Sequence, residues 1–318
     1  MNVLIADKVP GWFVEKLKAA GCNVLWEPTL EADALTAAIT AHEPAVIVVR
    51  STKVQKAQIE AGAALKMVIR AGAGVNTIDV ACATERGVKV CNCPGTNSAA
   101  VAELAIGHLI NLDRRIADGV ADLKAGVWNK KGYSKANGLK GRTLGILGMG
   151  NIGILTARIA QAMGMQIVTW DPFLSWEKAE ELGVRKTDEI LEVAREADAV
   201  SVHLALVPPT RGLVGAEFIG AMKPGAYLIN TSRAEVLDKA AVVAGIQEKG
   251  LRLGTDVYWS EPAANDTVFA DDVVALPGVY GTHHIGASTD QAQDAVSEMA
   301  WDIMDTFLTT AQIINAVN

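Results

Sequence analysis

Gly148, Gly150 and Gly153 form a G-x-G-x-x-G pattern that begins at residue 148 of 318. Residues 143–147 before it read as a buried parallel strand, and residues 152–163 after it carry apolar side chains at helical spacing. The glycines therefore sit at a strand-to-helix turn, and few folds offer that setting. Gly148 permits the tight turn, Gly150 lets backbone approach a diphosphate, and Gly153 lets helix pack on strand. Asn151 and Ile152 open a helix whose N-terminus faces the anion. Lying so far along the chain, the pattern also implies that something folds ahead of it.

The next strand, residues 166–170, runs into Asp171 and Pro172, and Asp171 stands 18 residues past Gly153. That is close to the roughly 20 residues expected before an acid that hydrogen-bonds a nucleotide ribose. A carboxylate accepts from both ribose hydroxyls but repels a 2′-phosphate, so the pattern favours NAD over NADP.

Lys and Arg number 29 against 36 Asp and Glu, a net charge of −7. No broad cationic surface is expected for a nucleic-acid backbone or an anionic membrane, and an anionic ligand must meet a local basic pocket. Met1 leads almost at once into a strand-like run, which predicts no leader peptide and a cytoplasmic protein. The apolar stretch at 101–110 is interrupted by Glu103 and His108, so no membrane span is expected. Four scattered cysteines, Cys22, Cys82, Cys91 and Cys93, suit neither a disulfide scaffold nor a metal site, and no metal is expected.

Strand and helix patterns alternate from the start: strands at 2–6, 23–26, 45–50, 66–70 and 88–92, helices at 12–20, 32–41 and 80–85, then one long helical stretch from 98 to about 124. A second winding begins at 143, with further strands at 199–204, 226–230, 253–257 and near 279, and a last helix covers 291–308. The fold class is α/β, with two doubly wound parallel-sheet domains.

In open α/β sheets ligands bind beyond the carboxyl ends of strands. Three residues lie just past such ends in the second half: Arg233, Glu261 and His284. A guanidinium matches a carboxylate with two parallel hydrogen bonds. An imidazole titrates near neutrality and can take a hydroxyl proton as hydride leaves the adjoining carbon, while a carboxylate beside it favours the imidazolium and fixes its tautomer. Together they describe alcohol oxidation beside a nicotinamide.

Over nearly its full length the chain resembles the D-isomer-specific 2-hydroxyacid dehydrogenases. The resemblance rests on Arg70-Ala71-Gly72-Ala73-Gly74-Val75, Asn92-Cys93-Pro94-Gly95-Thr96-Asn97 with Ala102-Glu103, the glycines with Asp171-Pro172, Asn230-Thr231-Ser232-Arg233, Asp256 with Glu261-Pro262, and Thr282-His283-His284-Ile285-Gly286. It implies a Rossmann NAD-binding domain (99–284) inserted in a flavodoxin-like substrate domain (1–98 and 285–318), and a homodimer. It also implies that Arg233 binds the substrate carboxylate, that His284 is the acid/base and that Glu261 is its partner. Gly74, Val75 and Asn97 would face the substrate, and Thr231 and Asp256 the cofactor, Asp256 near the nicotinamide amide. Two positions depart from the family pattern: Ala234 stands where Gly is common, and His283 where Pro is common. Of the adjacent histidines, Ile285-Gly286 aligns His284. Formate dehydrogenases of this family carry Gln where Glu261 stands, so Glu261 points to a hydroxy or keto acid.

Within the family, residues 49–54, 126–130 and 284–293 are most similar to the phosphoglycerate dehydrogenases, in a short form without regulatory domain. This implies oxidation of 3-phosphoglycerate to 3-phosphohydroxypyruvate, the entry to serine biosynthesis. Arg50 and Ser51, past a strand end, with Lys53 and Lys130, are the expected phosphate-side residues. The alternative substrate is glyoxylate, hydroxypyruvate or another small 2-keto acid. A reading from another class is an NAD-sensing protein like the corepressors that share this fold.

Overall fold

The computed structural model describes residues 1–262 and 268–318. They fall into two compact units, one of residues 1–97 with 287–318 and one of residues 98–286.

The first unit winds β1 (Asn2–Ile5), α1 (Gly11–Ala19), β2 (Asn23–Trp26), α2 (Ala32–His42), β3 (Val46–Val49), α3 (Lys56–Ala61), β4 (Met67–Arg70), α4 (Val80–Glu85) and β5 (Lys89–Asn92). Its strands pair in parallel in the order β2-β1-β3-β4-β5, the flavodoxin-like order. β3 is Val-Ile-Val-Val and buried throughout, as a strand covered on both faces must be. One face packs on α2, α3 and α4 through Leu35, Ile39, Ile59 and Ala83.

The second unit runs α5 (Ser98–Arg114), α6 (Ile116–Lys124), α7 (Lys130–Tyr133), β6 (Thr143–Leu147), α8 (Asn151–Ala162), β7 (Gln166–Trp170), α9 (Trp176–Glu181), β8 (Arg185–Lys186), α10 (Ile190–Glu196), β9 (Ala199–Val202), α11 (Ala216–Ala221), β10 (Tyr227–Asn230), α12 (Lys239–Lys249), β11 (Arg252–Thr255) and β12 (Val279–Gly281). Among the described residues its sheet is parallel in the order β12-β11-β10-β9-β6-β7-β8, the Rossmann order extended by one strand. α5, α8 and α9 cover one face and α10, α11 and α12 the other. The winding reverses between β6 and β9, so the glycine turn after β6 sits at the switch point.

The chain then returns to the first unit as α13 (Asp290–Thr310), where Thr289 caps the helix by accepting from the Ala292 N–H at 3.1 Å. Val296, Ala300, Ile303 and Met304 of this helix join Phe13 and Leu17 of α1 over the sheet face opposite α2.

The expected single helix from 98 to 124 is two helices. Arg115 between them adopts a left-handed φ of 53°, and the Asn111 side chain accepts from the Ala117 N–H at 2.9 Å. A local side-chain acceptor competes with the helical ladder there without any glycine or proline to announce it.

Candidate functional site

The glycine turn is tight, and two of its three glycines leave no room for a side chain. Gly148 has φ 93°, and a Cβ there would come within 2.8 Å of the His203 carbonyl oxygen. A Cβ on Gly153 would lie 2.1 Å from the Gly148 oxygen, so α8 can seat against β6 only with glycine at that position. A Cβ on Gly150 would meet nothing within 4 Å. Among the described residues no side chain caps α8, so the N–H groups of Asn151 and Ile152 at its first turn are available to an anion.

Asp171, at the end of β7, accepts from the Met149 N–H at 2.6 Å and from the Phe173 N–H at 2.7 Å, on different oxygens. It ties the glycine turn to the next strand, beside Pro172. Two buried polar atoms past neighbouring strand ends, His203 Nδ1 after β9 and Thr231 Oγ1 after β10, have no hydrogen-bond partner among the described residues. Burial pushes the His203 imidazole down to about 4, so it is neutral, with Nε2 paired to Ser201 Oγ at 2.9 Å. Two orphaned polar groups, an uncapped helix and an open glycine on one sheet edge fit a dinucleotide.

At the same edge β10, β11 and β12 deliver the other group. Asn230 shapes the loop after β10: its Oδ1 accepts from Ser232 N–H and Oγ–H at 3.0 and 2.8 Å, and its Nδ2 donates to the Arg233 carbonyl at 2.9 Å. Arg233 Nη1 donates to the Ser232 carbonyl at 2.7 Å. Glu261 Oε1 accepts from the Tyr258 N–H at 3.0 Å, and its Oε2 lies 2.7 Å from His284 Nδ1. Of the two adjacent histidines it is thus His284 that meets the carboxylate. Its φ of 54° lies in the left-handed region, which is uncommon for a residue with a side chain. Nε2 is left without a partner among the described residues. Both side chains remain partly open, at 47% and 34% exposure for His284 and Glu261.

The hydrogen bond that His284 donates to Glu261 raises the His284 pKa above the ordinary histidine value, with burial opposing and the charges of Glu261 and Asp256 helping; the Arg233 charge works the other way. Burial favours a neutral Glu261, but the hydrogen bonds from His284 and the Tyr258 N–H, with the Arg233 charge, outweigh it and hold the carboxyl low. Asp256 is 1% exposed. Its Oδ1 accepts from Thr282 Oγ1 at 2.6 Å and the Ile285 N–H at 2.9 Å, and its Oδ2 from the Gly286 N–H at 2.8 Å.

In the first unit the loops after β3, β4 and β5 gather at the carboxyl edge of three neighbouring strands. Arg50 and Ser51 follow β3, Gly74 and Val75 follow β4, and Asn97 closes the turn after β5. A residue that the motifs did not single out shapes the first of these loops. Asp7 accepts from the N–H groups of Arg50, Ser51 and Thr52 at 2.6, 3.1 and 3.0 Å and from Ser51 Oγ at 2.9 Å. Lys130 is placed differently. It opens α7, whose Gly132 and Tyr133 line a cavity of about 510 Å³ with Arg252 and Gly278, at the amino ends of β11 and β12. Within one chain that is the edge opposite His284.

The four cysteines are buried and free; burial pushes Cys91 up to about 12 and Cys93 up to about 11. Among the described residues no helix is long and apolar enough to cross a membrane.

Residues 106–286 match the family described as "D-isomer specific 2-hydroxyacid dehydrogenase, NAD binding domain". A D-3-phosphoglycerate dehydrogenase of Methanocaldococcus jannaschii is 38% identical over 86% of this chain and 51% of its own. A hydroxypyruvate reductase of Thermotoga maritima is 41% identical over 79% of this chain and 80% of its own. The NAD+-bound crystal structure of a 3-phosphoglycerate dehydrogenase from Entamoeba histolytica superposes with a TM-score of 0.82 at 27% identity, covering 100% of this chain and 98% of that one. The chain spans about half the length of the phosphoglycerate dehydrogenases that it matches by sequence.

Proposed function

The chain belongs to the family of D-isomer specific 2-hydroxyacid dehydrogenases, with the family's NAD-binding domain at 106–286, and from this we propose that it oxidises a D-2-hydroxy acid to the 2-keto acid, with 3-phosphoglycerate as substrate. The observation that carries the reading is the 2.7 Å pairing of His284 Nδ1 with Glu261, beside the Arg233 charge, at the strand ends that follow the glycine turn.

NAD, when bound, supplies the hydride acceptor. Gly148, Gly150, Asn151, Ile152, Gly153, Asp171, Pro172, Thr231 and Asp256 are the residues that would hold it, with His203 added by its orphaned Nδ1. Arg233 grips the substrate carboxylate with its planar fork, which fixes the hydroxyl-bearing carbon. As the C–H bond releases hydride, His284 Nε2 takes the hydroxyl proton and the C–O bond becomes a carbonyl. Glu261 stabilises the imidazolium so formed and keeps Nδ1 protonated, so that Nε2 is the free base. The reverse reaction begins from the imidazolium.

Arg50 and Ser51, held in place by Asp7, supply the phosphate-side contacts, and the kinship to phosphoglycerate dehydrogenases supports that substrate. A specific observation favours a second reading, reduction of hydroxypyruvate or glyoxylate: the Thermotoga reductase matches four-fifths of each chain at 41% identity. For assembly we infer a homodimer. α6 buries no side chain in its own unit, and Ile116, Val120, Leu123, Val127 and Trp128 of α6 and the following loop are exposed. Serine biosynthesis in the cytoplasm is the setting that fits this substrate.

Initial rates with 3-phosphoglycerate, D-lactate, D-glycerate and glycolate, each with NAD and NADP, test substrate and Asp171 together. The expected outcome is turnover of 3-phosphoglycerate with NAD, abolished in His284→Ala. Turnover of an unphosphorylated acid alone would select the second reading, and reduction of NAD by none of them would leave an NAD-sensing protein.

A further inference from the structure

α5 carries a histidine that the reaction above does not use. His108 is 4% exposed, and its Nε2 lies 3.1 Å from Thr282 Oγ1. A threonine hydroxyl has one hydrogen, and here it goes to Asp256 Oδ1 at 2.6 Å. The hydroxyl oxygen therefore accepts from His108, which fixes the Nε2–H tautomer. The same Asp256 carboxylate takes the N–H groups of Ile285 and Gly286, the two residues that follow His284. Thr282 and Ile285 thus flank His283 and His284, and both ends of that short segment hang on one buried carboxylate that His108 steadies from behind.

The contact is built into the fold. Gly254 of β11 faces His108, and a Cβ there would come within 2.8 Å of the His108 Cβ. Three segments far apart in the chain meet only because position 254 lacks a side chain. Burial pushes the His108 imidazole down, opposed by the Asp256 charge, so the ring stays a neutral donor near neutral pH.

We propose that His108 is a positioning residue: through Thr282 and Asp256 it holds the 282–286 segment so that His284 keeps Nδ1 on Glu261 and Nε2 toward substrate. The proposal rests on the acid–base role of His284 given above. A left-handed residue such as His284 relaxes when its loop is freed, and a displacement of about 1 Å costs up to about 100-fold in rate.

The test compares His108→Leu with His108→Gln in the full chain, the glutamine amide being able to donate to Thr282 as the imidazole does. In His108→Leu, kcat for the hydroxy acid is expected to fall about tenfold, with the melting temperature unchanged. His108→Gln is expected to restore kcat. In the unliganded protein, an NMR titration of the His284 imidazole, which faces Glu261, Asp256 and Arg233, should fall toward the ordinary histidine range in the leucine variant and stay high in the glutamine variant. If His108→Leu does not fold, Thr282→Val, which keeps the shape and removes the hydroxyl, carries the same expectations. A folded His108→Leu protein with unchanged kcat and unchanged titration overturns the proposal. So does equal damage in both His108 variants with loss of NAD affinity and melting temperature. Wild-type protein that turns over no 2-hydroxy acid sinks the reaction instead, while the titration still decides the positioning.

Discussion

Glu261 and His284 set each other's protonation, and the sign of that coupling is measurable. Oxidation needs a neutral imidazole, so kcat/KM for the hydroxy acid should fall as pH drops through the raised His284 pKa; keto-acid reduction needs the imidazolium and should fall as pH rises through it. In Glu261→Gln the strongest raising influence is gone. The acid limb of oxidation is then expected to move to lower pH, with kcat reduced on the order of 10²; pH–rate profiles of the two proteins check both, and an unmoved limb would refute the pairing's role. The placement of Arg233, Glu261 and His284 past strand ends was legible because each follows a run of strand-like apolar pattern. The roles of Asp7 and His203 were not. Asp7 takes three backbone N–H groups 43 to 45 residues away and His203 Nδ1 is orphaned among the described residues only once the fold buries it, and an isolated polar residue carries no periodic signal of either.

Elements show the same division between local and distant causes. Strand and helix alternation, the turn at Gly148 and the last helix follow from periodicity and glycine placement, and the structure has them within a residue or two. The break between α5 and α6 escapes that reasoning because an asparagine side chain makes it. Pieces such as α7 and β8 escape it too, since four helical residues make little more than one turn and two strand residues cannot show an alternation. α13 was readable as a helix but not as a partner of α1, because its apolar stripe does not say which surface covers it. Ile303 is fully buried there. Ile303→Ala should cost about 2–5 kcal/mol, read in denaturant unfolding as an early transition of the first unit, with NAD binding by the second unit retained. A single unshifted transition would contradict the assignment of α13 to the first core.

For the molecule as a whole, the two strand orders confirm two doubly wound sheets, each with helices on both faces. The closing residues finish the first of them. Ala316 bridges antiparallel to Cys91, the Val317 N–H donates to the Val90 carbonyl at 2.8 Å, and Asn318 Oδ1 accepts from the Val90 N–H at 2.8 Å. Removing residues 311–318 should leave β5 as a bare edge, lowering the melting temperature of the first unit and promoting association between chains, visible by light scattering. A truncated protein that melts and scatters as the intact one does would refute that role. The same arrangement sets a timetable for synthesis. Between the emergence of β5 and that of α13 the ribosome must make the entire second unit, an interval of about 10–40 s at about 5–20 residues per second. For that time the nascent first sheet has one oily face covered by α1 alone and one edge unpaired, which prolongs its exposure to association with other chains.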